Sequence, residues 1–170
     1  MEKKSEIIAL ARSFTNPEDP RNNGLRKNVV QRVVLEQYGI SGDRHCGMTR
    51  KSQRDPETQK FNDRQITIMS QEAIDEVNRK LGLDLMPGDL GENITVRGLG
   101  DLSDVADGKI VVINHGRVCL KVTKQNDPCR KLSIYHKKLA KVLMGKRGLL
   151  LTVMRGKGQV VCVGSPIFIV

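Results

Sequence analysis

The sequence predicts a mainly β chain with a few helices, closed as an antiparallel barrel or sandwich. Apolar, partly β-branched segments of strand length recur about eight times, and only two segments follow the helical period. No alternating strand-helix repeat, the pattern that builds a parallel sheet, runs through the chain. At 170 residues, 38% apolar and 28% charged, the chain can bury one core. It reads as a single domain, with residues 1–23 supplying an N-terminal strand and loop to the barrel formed with residues 24–170.

The elements follow in order. Residues 6–12 and 29–35 have strand character, and residues 16–24 between them are dense in turn formers. Residues 46–63 are polar and aperiodic, which predicts a long exposed loop. Strand character resumes at 65–69. Ser70 then stands as a helix N-cap, Ala73, Ile74, Val77 and Leu81 keep the helical period, and Gly82 suits a left-handed C-cap. Pro87-Gly88 turns the chain into a short strand at 93–97, and residues 109–113 and 118–123 form a hairpin around Asn114-His115-Gly116. A second amphipathic helix opens near His136, carries Leu139, Val142 and Leu143 on its apolar side, and ends at Gly145. Residues 149–154, 159–163 and 167–170 complete the strands.

Composition excludes several classes. No apolar run approaches the roughly 20 residues of a membrane-spanning helix. The first eleven residues hold too short an apolar stretch for a signal-peptide core, which predicts a cytoplasmic protein with no membrane association. Cys46, Cys119, Cys129 and Cys162 are then expected as thiols, and none forms a C-x-x-C pair. The net charge of +10 is uneven: residues 121–157 hold eleven bases and one acid, while the remainder holds 18 of each. That stretch supports an alternative reading, a non-catalytic module binding nucleic acid or an acidic partner. Five aromatic residues without a Trp supply a base-stacking platform poorly, which disfavours nucleic acid.

Three clusters carry chemistry-bearing side chains. Residues 39–47 read G-I-S-G-D-R-H-C-G, a glycine-hinged loop that either presents Arg44 to an anion or is a turn capped by Asp43. Residues 87–95 read P-G-D-L-G-E-N-I-T. Alternation places Asn93 and Thr95 on one face, where they bind a polar ligand or bond back to the turn. Residues 124–131 read K-Q-N-D-P-C-R-K and set Cys129 among Lys124, Arg130 and Lys131; nearby positive charge favours the thiolate, the form that attacks sulfur donors and ligates soft metals. Cys119 and Cys162 sit within apolar strands as packed thiols. His45, Cys46, His115 and Cys119 match no zinc-binding spacing, and no nucleophile elbow, Walker loop or dinucleotide fingerprint is present.

Taken together in this order, G-I-S-G-D-R-H, Asp63-Arg64-Gln65, P-G-D-L-G-E-N-I-T, Gly98-Leu99, Pro128-Cys129 and Arg147-Gly148 resemble the MOSC domain, the C-terminal module of molybdenum cofactor sulfurases that also occurs as stand-alone bacterial proteins. The resemblance covers residues 24–170 and implies a β-barrel of the MOSC type. It further implies a molybdenum-pterin cofactor, with Cys129 as molybdenum ligand or persulfide carrier and with Arg44, Arg64, Asn93 and Thr95 holding the pterin and its phosphate. Lys124 and Arg130 join that set on electrostatic grounds. The implied activity is cofactor sulfuration or reduction of N-hydroxylated small molecules. No pyridoxal-phosphate-dependent desulfurase domain accompanies these motifs, so the implied partner is a separate cysteine desulfurase or an electron-donor protein, and no intrinsic pyridoxal phosphate is expected.

Overall fold

The computed structural model describes residues 5–170; Met1 to Lys4, the start of the segment read as leader-free, lie outside the described residues. The elements are β1 (Glu6–Arg12), β2 (Asn28–Val30), β3 (Arg32–Glu36), β4 (Gly39–Ile40), β5 (Thr49–Lys51), β6 (Gln59–Phe61), β7 (Ile66–Ser70), α1 (Gln71–Leu81), β8 (Ile94–Arg97), β9 (Ile110–Ile113), β10 (Val118–Gln125), α2 (Leu139–Val142), β11 (Leu149–Arg155), β12 (Val160–Cys162) and β13 (Ile167–Ile169). Eight strands form one sheet in the order β13-β9-β10-β11-β7-β8-β1-β2. The sheet curls into a half-barrel whose sides meet through backbone bonds. The Ile7 N–H donates to Ser165 O at 3.0 Å, and the Gly164 N–H donates to Ile7 O at 2.7 Å. The β12-β3-β4 sheet adds Val33, Leu35 and Val161 to the apolar interior formed by Ile7, Ile68, Ile94, Leu120 and Leu149.

The predicted mainly β class therefore holds, with corrections to its detail. The pair β7/β8 is parallel, Ile68 facing Ile94 and Ser70 facing Val96, because α1 carries the chain back over the sheet between them. Residues 46–63 are not simply a loop: β5 and β6 pair as an antiparallel hairpin with Thr49 opposite Phe61. Mostly exposed on both faces, that hairpin has no apolar alternation for the sequence to display.

Helix α1 forms where its caps direct. The Ser70 hydroxyl accepts from the Ala73 N–H at 3.1 Å, and Gly82 takes φ 64°. Ala73, Ile74 and Val77 pack with Met69, Leu90, Leu132, Leu139 and Leu143 into a second apolar cluster. In the fully buried β7, Ile68 faces the barrel interior and Met69 faces the second cluster. The second predicted helix is shorter than its periodicity suggested. A 3-10 turn at Arg130–Ile134 precedes the four-residue α2, whose Lys138 N-cap offers no side-chain hydrogen bond. The predicted strand at 29–35 is likewise two strands, β2 paired with β1 and β3 with β12.

Candidate functional site

A cleft of about 450 Å³ opens where the ends of three loops meet beside the second apolar cluster. Loop 41–46 is organised by Asp43, which is buried and accepts from the N–H groups of Ser13 (3.1 Å) and His45 (3.0 Å) and from the Asn93 amide (3.0 Å). Beneath it lies Lys27, whose Nζ is 3.1 Å from Asp43 Oδ2 and 3.2 Å from His45 Nδ1. Burial pushes the Lys27 ammonium down to about 8, against the pull of Asp43. Burial also works to raise Asp43, but hydrogen bonds from His45 and the Lys27 charge hold its carboxyl well below the usual range. His45 is pushed down by burial, against the pull of Asp43 and with the help of the Lys27 charge. His45 Nδ1 lies 3.2 Å from the Lys27 ammonium and 3.4 Å from Asp43 Oδ1, so it accepts from the lysine in one tautomer and donates to the carboxylate in the other.

The opposite wall is the loop carrying Cys129. It leaves β10, and the Asn126 N–H bonds to Gly148 O at 2.9 Å. The Arg147 guanidinium donates to Asp127 O at 2.7 Å, and its Nε is buried without a partner. Gly148 has φ 80°, and a β-carbon there would fall 1.9 Å from Ile68 O, so glycine alone fits the junction of this loop with β7. Cys129 follows Pro128, half-buried against the second apolar cluster, with extended backbone and its carbonyl accepting from Leu132 N–H.

The structure brings Arg44, Arg64, Cys129 and Arg130 together around the cleft. Arg44 is braced against the carbonyls of Gly24 (3.3 Å) and Leu25 (3.1 Å), and Arg64 Nε is buried without a partner. Asn93 and Thr95 sit elsewhere. Asn93 is buried behind the wall, its amide donating to Ala11 O (3.1 Å) and Asp43 and its oxygen accepting from Thr67; Thr95 donates to the buried Glu92 at 3.1 Å. Both are thus committed to internal bonds that fix the cleft's shape. Lys124 is half-buried on β10, away from the cleft lining. Arg147, Lys131, His45 and Thr67 do line it, and sequence reasoning assigned none of them to a cofactor; for Arg147 the signal was its place in the Arg147-Gly148 motif. Five cationic side chains against the single carboxylate of Asp127 give the cleft a positive field, with one thiol on its wall. Among the described residues no three His, Cys, Asp or Glu side chains converge on a metal position.

The sequence profile of the MOSC domain matches residues 41–167. A Bacillus subtilis (strain 168) protein described as "Putative metal-sulfur cluster biosynthesis proteins YuaD" is 38% identical over 106 residues; the match covers 59% of this chain and spans 55% of that relative. The crystal structure of YUAD protein from Bacillus subtilis superimposes with a TM-score of 0.81 at 27% identity, covering 98% of this chain and 96% of that one. YiiM from Geobacillus stearothermophilus shares the fold, with a TM-score of 0.69 at 22% identity over 98% of this chain and 75% of that one. With the profile spanning well over half of its 170 residues, the chain belongs to the MOSC domain family.

Proposed function

We propose that this cleft binds a molybdenum-pterin cofactor through its anionic groups, with Cys129 as the thiolate ligand of the metal or as the carrier of persulfide sulfur. The observation that carries this reading is a single thiol on a pinned loop, facing a cleft with five cationic side chains. The residues fit such a group. Arg64 and Arg147 each keep a buried Nε without a partner, so a bound phosphate would complete hydrogen bonding that the chain leaves open. One protein sulfur suits a metal that arrives with its other ligands in place.

Bound molybdenum would supply the two-electron chemistry that reduces N-hydroxylated compounds. Around it, Arg44, Arg130 and Lys131 hold negative charge, Arg147 fixes the Cys129 loop, and His45 places an imidazole at the cleft wall. As sulfur carrier, Cys129 would accept sulfane sulfur from a separate cysteine desulfurase; as metal ligand, it would serve a reductase fed by an electron-donor protein. The YuaD description, which names metal-sulfur cluster biosynthesis for that protein, supports a role in metal and sulfur handling.

Cys129→Ser tests the reading. Protein made in a host that produces the cofactor is expected to lose its molybdenum, by elemental analysis, or its persulfide, by thiol-specific labelling. Unchanged metal and persulfide content in the variant overturns it.

A further inference from the structure

A second cavity adjoins the cleft. It is a groove of about 370 Å³ between the β5–β6 hairpin and loop 44–46, and it shares Arg44, His45, Gln53 and Arg64 with the cleft. These shared side chains stand at the divide and face both spaces. The far wall of the groove carries Arg50 and Lys51. Arg50 is paired with Asp63 at 2.8 Å, whereas Lys51 is exposed and has no ion-pair partner among the described residues. No Asp or Glu and no Phe, Tyr or Trp side chain lines the groove among the described residues.

The groove is also built rather than incidental. Asn62, buried at the base of the hairpin, donates from its amide to the carbonyls of His45 (2.6 Å) and Gly47 (2.9 Å) and accepts from the Arg64 N–H (3.1 Å). These bonds tie the hairpin to the loop that carries Arg44 and His45, so the two walls keep a fixed spacing. The hairpin is the part of the chain to which the sequence motifs and the cleft chemistry give no role.

We infer that this groove binds the anionic group, a carboxylate or phosphate, of the small molecule that reacts in the cleft. The inference rests on the cofactor reading above and adds a substrate class to it. Cationic walls without a carboxylate select negative charge. Without a Phe, Tyr or Trp platform, the groove suits a compact anion better than a planar ring or nucleobase. Arg44 and Arg64, shared across the divide, place that anion next to the cleft, so the neutral end of the same molecule reaches toward Cys129.

The test uses the full chain without cofactor and inorganic phosphate as the probe, followed by amide NMR. Two groups of signals are expected to titrate, one at Thr49–Lys51 and Asn62 and one at Cys129–Lys131. Lys51→Glu, on an exposed strand, is expected to weaken phosphate at the groove by about tenfold and to change the cleft group less than about twofold; Lys131→Glu should do the reverse. Phosphate shifts confined to the cleft, or equal weakening of both groups by either variant, overturn the inference. Repeating the titration on cofactor-loaded protein separates the two sources of the anion. An unchanged groove affinity supports the substrate, and a groove that no longer responds means that the cofactor's own anion fills it, which overturns the substrate assignment. Retention of molybdenum and persulfide by Cys129→Ser would instead overturn the cofactor reading, and the cofactor-free titration does not depend on that result.

Discussion

The residue with the largest electrostatic burden is Lys27, a charged side chain 2% exposed whose main counter-ion is the equally buried Asp43. Nothing in the sequence marks it, because Arg26-Lys27 after a turn looks like any solvated pair; only the fold decides that one of the two is enclosed. Asp43→Asn leaves the Lys27 ammonium buried with no carboxylate beside it, and is expected to cost about 3–5 kcal/mol at pH 7. The pH dependence follows from the shifts. Lys27 loses its proton near 8 in the folded chain against 10.5 ordinarily, so between those values the unfolded chain binds more protons and the lysine's contribution to stability rises with pH. Asp43 is depressed, so its contribution is full above its ordinary value of 3.8 and declines as pH falls below that. Without Asp43 the lysine titrates lower still, so the variant gains stability with pH before the native chain does, and the gap should be widest just above about pH 4 and narrow as pH approaches about 8. Urea denaturation across that range measures it, and a gap independent of pH would show that the pair is not the cause.

At the scale of elements, what the sequence reveals depends on whether the determinants are local. Helix α1 is legible because Ser70, its apolar period and Gly82 all lie within its own span. The β5–β6 hairpin is not, since its largely exposed faces leave no periodicity, and α2 is overread because Leu139, Val142 and Leu143 follow a helical spacing that only one short turn uses. The site divides the same way. The motifs point to Arg44, Arg64 and Cys129 and local charge points to Arg130, and the structure gathers all four around one cleft, where Arg147, whose motif carried no cofactor role, and Lys131 join them. Asn93 and Thr95 share a face, as alternation predicts, but β8 is central and buried, so their polar atoms are spent on Asp43, Thr67 and Glu92. The joint between β11 and the Cys129 loop gives the sharpest prediction at this scale. Gly148→Ala forces a β-carbon toward Ile68 O in a left-handed backbone, at a cost of about 2–5 kcal/mol, which corresponds to roughly 6–15 °C in melting temperature. Because Asn126 bonds to Gly148 O, the same change should loosen the loop and speed reaction of Cys129 with a thiol reagent, read against a Cys129→Ser background. A melting temperature within about 2 °C of the native chain would show that the backbone yields there at little cost.

For the whole molecule, the question is what a net charge of +10 does once folded. The stretch that holds the excess does not form one face. Of its eleven bases, Arg130, Lys131 and Arg147 line the cleft, Lys146 is bonded to Glu76 and Asp101, and Arg155 and Lys157 border a separate depression beside Tyr38. A polymer following the phosphate spacing of a nucleic acid needs a continuous basic track with rings on which bases stack, and neither the cleft nor the groove offers a Phe, Tyr or Trp side chain among the described residues. A small anion needs only the local field, which is strongest where Arg44, Arg64, Arg130, Lys131 and Arg147 converge. Binding of a labelled single-stranded oligonucleotide, followed by fluorescence anisotropy at about 0.15 M salt, is therefore expected to stay in the non-specific range of about 10⁻⁴–10⁻⁶ M and to fall steeply with added salt. Inorganic phosphate at millimolar concentration should displace what does bind, since both would compete for the same converging charges. A sub-micromolar isotherm that survives loss of Lys131 and Cys129 would make the basic stretch a nucleic-acid surface, and the cleft's positive field would then be incidental to its thiol.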